Sequence, residues 1–511
     1  MSFLAFERRT IVTRNVILAL IWTVGLSAAG WSAGSAAWAQ PTRGAYSDAS
    51  ELPDGPIGER ISSLLEVINS NDREKLRTFV SEAFTNQFRN FAPMDRHLAV
   101  FADLYQQSQG FEFYGIRKYE AEAPASERVV IVRNKLTQAW EAFILTIETE
   151  PPHRIAGLRF APARAPNQAA PSSRLSDQEI VKELEAFINR LVEAEVFSGT
   201  VLLARDGEVL FKGAYGLASK RFDVPNKIDT KFNLGSMNKM FTGVAIAQLV
   251  QRGRLSLDDA LGQYLSTDWL PHKISDKIKI KHLLTHTSGL GSYFNDKFME
   301  SSRARFRDLD DYKPLIAGET PAFEPGTDWQ YSNTGMFLLG VVIEKVSGQS
   351  YFDYVRENIY KPAGMANTDC YEMDKPVPNL AIGYSKENGI WSNNLYKHVV
   401  KGGPAGGGFS TVEDLLRFDR ALRDHTLLNP EYTEMVWSAK PELHSPAYGF
   451  GFGVGGEPGH GIVGHGGGFA GINSNLDIFL DSGYTAVVMS NHDRGAEPVK
   501  SKIRELVAGR K

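Results

Sequence analysis

Gly235-Ser236-Met237-Asn238-Lys239-Met240-Phe241-Thr242-Gly243-Val244-Ala245-Ile246-Ala247-Gln248-Leu249 is the stretch on which the fold turns. Met240, Val244, Ala245 and Leu249 recur at helical spacing, so a helix is expected, opened by Ser236 after Gly235. Positions i and i+3 share a helix face, which sets the Ser236 hydroxyl beside the Lys239 amine. The helix N-terminus favours developing negative charge there. A lysine taken out of water loses much of its preference for the ammonium form, so it can accept the serine proton. Alone, the tetrapeptide also reads as a helix cap followed by a solvated lysine.

Two segments further along the chain change that balance. Tyr331-Ser332-Asn333 follows a Glu324-Pro325-Gly326 turn and precedes a second apolar helix through Phe337, Leu338, Val341 and Val342. A phenol near an ammonium is expected to have its pKa drawn down and to serve as a proton relay. The Asn333 amide can hold the lysine and bond a substrate amide. His465-Gly466-Gly467-Gly468 precedes the last hairpin, and glycines let a chain present bare amides to a ligand.

S-x-x-K, then Y-x-N, then a polar residue and Gly near a C-terminal strand resembles the serine β-lactamases and penicillin-binding proteins. With Tyr heading the second motif, the chain resembles the class C β-lactamase-related branch, which includes esterases and D-amino-acid peptidases. The resemblance spans about Leu175 to Gly509. Lys281-His282-Leu283-Leu284-Thr285-His286-Thr287-Ser288-Gly289-Leu290 and Gly406-Gly407-Gly408-Phe409-Ser410 also look typical of it. It implies an α+β fold, with an antiparallel sheet flanked by helices and a helical region. It further implies that Ser236 attacks a carbonyl and forms an acyl-enzyme, with Lys239 and Tyr331 sharing the proton traffic. The sequence leaves open which of the two is the base. Asn333 would orient Lys239 and substrate, the amides of Ser236 and Gly468 would form the oxyanion hole, and Gly466 and Gly467 would line the substrate. No cofactor or metal is implied.

One departure matters. Many relatives carry Lys-Thr-Gly where this chain has His465-Gly466-Gly467. Histidine is mostly neutral above about 6.5, whereas lysine stays cationic. The expected reaction is therefore hydrolysis of a small ester, amide or peptide-like substrate. The alternatives are a D-Ala-D-Ala carboxypeptidase, a class C-like β-lactamase, or a catalytically silent wall-ligand sensor.

Around this region, Ser176 and Glu179 form a capping box ahead of Ile180, Leu184, Phe187, Ile188 and Leu191. Thr200–Ala204 and Val209–Tyr215 flank an Asp206-Gly207 turn; Leu476–Leu480 and Tyr484–Ser490 flank Asp481-Ser482-Gly483. Hairpins at both ends of one region predict a single antiparallel sheet built from distant segments. A terminal helix is expected from about Glu497 to Leu506.

The 511 residues call for more than one core. Residues 53–162 read as three helices, near Ile61–Ile68, Leu76–Val80 and Leu98–Tyr105. Strands follow at Phe111–Tyr119, Arg128–Arg133, Trp140–Glu148 and Arg154–Phe160. That order resembles a small α+β cone of the nuclear-transport-factor-2-like type. Residues 163–174 read as a linker and 175–511 as the hydrolase domain.

Arg8, Arg9 and Arg14 precede an uncharged stretch ending in Ala37-Trp38-Ala39, the pattern of a secretory signal over residues 1–39. A periplasmic or secreted protein is expected, membrane-anchored only if the segment stays uncleaved. The formal net charge of −4 gives no electrostatic reason for a nucleic-acid partner. Oligomeric state is not legible. The single cysteine, Cys370, reads as a small buried hydrophobe. Gly30-Trp31-Ser32-Ala33-Gly34 matches a nucleophile elbow but lies inside the signal. His282 and His286 lack a third zinc ligand and read as structural, a metal pair of His460 and His465 is equally unsupported, and His465 stands as a candidate catalytic residue.

Overall fold

A computed structural model describes residues 46–119, 124, 126–166, 175–387, 389–456 and 461–508. The expected signal, the elbow-like string, His460 and linker residues 167–174 lie outside them. The described residues form two compact units, 46–166 and 175–508.

In the first unit, strand β1 (Tyr46–Ala49) precedes helices α1 (Pro56–Ser70), α2 (Arg73–Ala83) and α3 (Met94–Ser108). Strands β2 (Phe111–Tyr119), β3 (Glu127–Asn134), β4 (Trp140–Ile147) and β5 (Ile155–Pro162) follow, giving an antiparallel sheet ordered β1-β2-β3-β4-β5. Asp72 caps α2 by accepting from the Glu74 and Lys75 amides. The expected face of α1, Ile61, Leu64, Leu65 and Ile68, is buried with Val130, Val132, Phe143 and Leu145 of the sheet.

Both expected boundaries of this unit move. β1 begins ahead of residue 53, and its polar Ser47-Asp48 pair carries no strand alternation to announce it. At the other end Ala163 donates to the Trp140 carbonyl, and Arg117 donates to the carbonyl of Arg164. The first residues of the expected linker are thus fastened to the sheet.

The second unit opens with α4 (Asp177–Glu193), whose capping box is formed by Ser176 and Glu179. The hairpin of β6 (Gly199–Arg205) and β7 (Glu208–Tyr215) turns through Asp206 and Gly207, both at positive φ. Next come α5 (Asn238–Gln251), α6 (Asn333–Ser347) and α7 (Val412–Arg423), then β8 (Gly453–Gly455), β9 (Ile462–Phe469), β10 (Ile472–Phe479), β11 (Tyr484–Ser490) and α8 (Ala496–Val507).

The sheet order is β8-β9-β10-β11-β6-β7, all antiparallel, so the first and last hairpins join as expected. Leu202, Ala204, Leu476, Ile478, Val487 and Met489 pack into one core with α5 and α6. Helix α8 packs on α4 and on strands β10 and β11. Helix α5 has hardly a polar face: from Asn238 to Leu249 every residue is buried. An all-round apolar helix belongs in the centre of a core, and it carries the S-x-x-K pair there with it.

Candidate active site

Ser236 sits on a 3-10 turn, Gly235–Met237, that feeds directly into α5. Backbone bonds from both sides set this turn. Leu234 donates to the Gly408 carbonyl, Gly407 donates to the Gly235 carbonyl, and the Gly235 amide donates to Asn233 Oδ1. Ser236 itself is half-exposed, flanked by buried Gly235 and Met237.

Strand β9 runs past this turn. Its pairing with β8 ends at Gly464, so its edge from His465 to Phe469 is free to face Ser236. Only glycine fits that approach. A Cβ on Gly467 would lie 1.8 Å from the Leu234 oxygen, and one on Gly235 would lie 2.7 Å from the Gly468 nitrogen. The Gly468 amide therefore lies against Gly235, the residue before Ser236.

Lys239 is fully buried. Its Nζ lies 3.0 Å from Ser236 Oγ, 2.8 Å from Asn333 Oδ1 and 2.6 Å from the Ala405 carbonyl oxygen. Among the described residues it has no carboxylate partner. Burial alone holds its pKa well below the ordinary lysine range. Asn333, the first residue of α6, donates from Nδ2 to Ser292 Oγ at 3.2 Å, which fixes its oxygen toward the lysine. Ser332 caps the same helix, accepting from the Gly335 amide and donating to the Gly291 carbonyl.

Tyr331 lies across the lysine, with Nζ 4.9 Å from its ring centroid. Its hydroxyl is buried and makes no hydrogen bond of ordinary geometry with a described residue. The expected lowering of its pKa is not found. Burial pushes the phenol above its usual range, and the neighbouring Ser236 hydroxyl draws it only part of the way back.

His465 also departs from the expected picture. Both ring nitrogens point inward, Nδ1 to the Gly466 carbonyl and Nε2 to the Tyr448 hydroxyl at 2.9 Å. A carbonyl only accepts, so Nδ1 carries the proton and Nε2 accepts from Tyr448. Burial, with Lys239 nearby, holds the imidazole down at about 3. It is a neutral, internally satisfied ring, and neither nitrogen is left for a substrate.

The structure thus brings Ser236, Lys239, Tyr331 and Asn333 together, with Gly466, Gly467 and Gly468 on the adjacent strand edge. Three further groups were not singled out for this site from the sequence. The Ala405 carbonyl has no side-chain signature, although it opens the glycine run at 406–408. Tyr448 lies in a loop without a motif. His286 reads as a turn histidine, and it does adopt a left-handed φ of 62°. Its ring centroid is also 4.4 Å from that of Tyr331 and 4.5 Å from that of Tyr448.

Comparison with known proteins agrees with this geometry. The chain is 32% identical over 333 residues to penicillin-binding protein 4* of Bacillus subtilis, covering 62% of this chain and 73% of that protein. It is 29% identical over 311 residues to esterase EstB of Burkholderia gladioli, covering 52% and 77%. A D-stereospecific amidohydrolase from a Streptomyces species superposes with a TM-score of 0.52 at 28% identity, covering 66% of this chain and all of that one. The Beta-lactamase family matches residues 184–509, which contain every candidate residue above, and the chain belongs to that family.

Proposed function

We propose that the protein is a serine hydrolase that cleaves esters or amides lacking a carboxylate through an acyl-enzyme on Ser236. The observation that carries this reading is the hydrogen-bond inventory around Lys239. A neutral amine has two N–H donors and one lone pair. Asn333 Oδ1 and the Ala405 carbonyl can only accept, so they take both donors. The lone pair is left for Ser236 Oγ at 3.0 Å, a hydrogen-bond distance suited to a general base.

On this reading Ser236 Oγ attacks the carbonyl carbon as its proton passes to Lys239. The oxyanion is received by the amides of Ser236 and Gly468. As the bond to the leaving group breaks, Tyr331 donates its proton to that group and is reprotonated by the Lys239 ammonium. Water then attacks the ester on Ser236, its proton following the reverse path, and the acid is released. The raised pKa of Tyr331 suits this role, because a phenol that holds its proton is an acid and not a base.

The relatives include a penicillin-binding protein, an esterase and an amidohydrolase, and the site supports the latter two chemistries better. Binding a substrate carboxylate calls for a cation, and the neutral His465 supplies none. If residues 1–39 act as an export signal, the reaction takes place outside the cytoplasm.

A fluorophosphonate probe tests the proposal. We expect covalent labelling that disappears in Ser236→Ala, and turnover of short p-nitrophenyl esters or D-amino-acid amides ahead of nitrocefin and D-Ala-D-Ala peptides. Absence of labelling in the folded protein would support the silent sensor. Rapid nitrocefin turnover would overturn the reading of His465.

A further inference from the structure

Four rings from four separated segments meet near the candidate nucleophile: His286, Tyr331, Tyr448 and His465. The Tyr448 ring lies 4.5 Å from His286 and 5.7 Å from His465, and Tyr331 lies 4.4 Å from His286 and 6.5 Å from His465. All four are titratable, and burial shifts each toward its neutral form. In such a cluster, positions are set by which donor meets which acceptor.

The cluster holds two imidazole acceptors, and each is occupied by a fixed donor. The Ser332 amide donates to His286 Nδ1 at 3.1 Å. The Tyr448 hydroxyl donates to His465 Nε2 at 2.9 Å. Neither imidazole has a lone pair left for the buried Tyr331 hydroxyl, whose neighbouring hydroxyl is that of Ser236. His286 Nε2, which carries that ring's proton, is buried without an acceptor among the described residues. It can rest only against the flanking phenol rings.

We propose that Tyr448 is a positioning residue that occupies His465 Nε2 so that His465 cannot take the proton of Tyr331. The phenol then stays directed at Ser236 and the leaving group. A capped histidine also keeps one tautomer, which fixes its Nδ1–H on the Gly466 carbonyl and steadies the strand that carries the Gly468 amide. The inference rests on the reading of Tyr331 as the proton donor to the leaving group. It adds a residue that the mechanism does not otherwise require.

Tyr448→Phe keeps the ring and its packing and removes only the hydroxyl, leaving His465 Nε2 open to Tyr331. The test compares this variant with the parent on two butyrate esters, p-nitrophenyl and ethyl, after confirming equal thermal midpoints. p-Nitrophenolate departs without a proton, whereas ethoxide needs one. A mispositioned proton donor should therefore cost about tenfold or more in kcat/KM, which reports the acylation step, on the ethyl ester, with less than about twofold lost in kcat/KM on the p-nitrophenyl ester. Adding His465→Phe removes the competing acceptor and should recover most of the ethyl-ester rate.

Equal losses on both esters would mean a general distortion and would overturn the proposal, as would no loss on either. A double variant slower than Tyr448→Phe would overturn it too, since His465 would then serve the reaction directly. If the parent hydrolyses neither ester and takes no acyl-serine probe, it is the hydrolase reading itself that fails.

Discussion

Each unit of the molecule buries a cation, and each deals with it in the opposite way. In the first unit Arg117 has a side chain only 2% exposed, paired with Asp48 by two bonds of 2.8 and 2.9 Å and lying 3.9 Å from the Tyr46 ring centroid. Burial alone would lower its pKa, but the Asp48 carboxylate more than offsets this and the guanidinium is held above its usual value. In the second unit Lys239 is as deeply buried, with a hydroxyl, an amide oxygen and a carbonyl as neighbours and no carboxylate among the described residues. Arg117 is held in its charged form and serves the fold; burial favours the neutral amine at Lys239, and on the proposed mechanism that amine is the base. Burial depth does not distinguish a structural cation from a reactive one. The nature of the neighbouring oxygen does.

The largest test removes the base. Lys239→Met should lower kcat/KM on p-nitrophenyl butyrate by about 10³-fold, as loss of a positioned general base does. Lys239→Arg should not restore it, because a guanidinium stays protonated. Recovery by arginine would show that a charge, not a lone pair, is what the site uses.

Next comes the reverse operation in the first unit. Asp48→Asn leaves Arg117 buried and uncompensated, which should cost about 3–5 kcal/mol in the urea unfolding of that unit. Replacing both partners, Asp48→Leu with Arg117→Met, should recover most of the loss. A single variant as stable as the parent would mean that solvent reaches the pair.

A third substitution turns the second site into a copy of the first. Asn333→Asp places a carboxylate where the amide oxygen now accepts from Lys239 at 2.8 Å. An opposite charge at that range raises the lysine pKa, so activity at pH 7 should fall by roughly 10-fold or more. The loss should be recovered as pH rises, because the ammonium then deprotonates. A pH-independent loss would mean that Asn333 acts on the substrate and not through the lysine.

What the sequence disclosed of these two cations follows from locality. Ser236 and Lys239 stand three apart on one helix, so their contact is written in the spacing. The α5 face and both hairpins are legible for the same reason. Tyr331 and Asn333 needed the resemblance, because no local rule joins positions some ninety residues apart. Arg117 was not legible: its partner Asp48 lies in a four-residue polar strand with no alternation, and only the register of β1 on β2 brings the two opposite each other. Tyr448 and the Ala405 carbonyl were hidden likewise, since a loop tyrosine and a backbone oxygen carry no pattern. The direction of the Tyr331 shift was misjudged because a neighbouring cation was assumed. Once Lys239 is neutral, burial is the larger effect.

His465 extends the comparison to a base that does not take up a proton in the folded state, and here the expected effect is smallest. Its folded pKa is held at about 3, against an ordinary 6.5 once unfolded. Between those values the unfolded chain binds the extra proton, so stability falls as pH drops through 6.5 and is retained above it. Lowering the pH from 7 to 5 should cost about 1–2 kcal/mol from this ring. In urea titrations at the two pH values, His465→Gln should flatten that difference, whatever the variant's own stability. The kcat/KM profile should show no step near 6.5, because the folded imidazole is already neutral there. Activity should instead rise as pH climbs through the depressed pKa of Lys239, well before the ordinary lysine range. A step near 6.5 that vanishes in His465→Gln would put a titrating histidine among the working groups and end its likeness to the silent, capped ring described here.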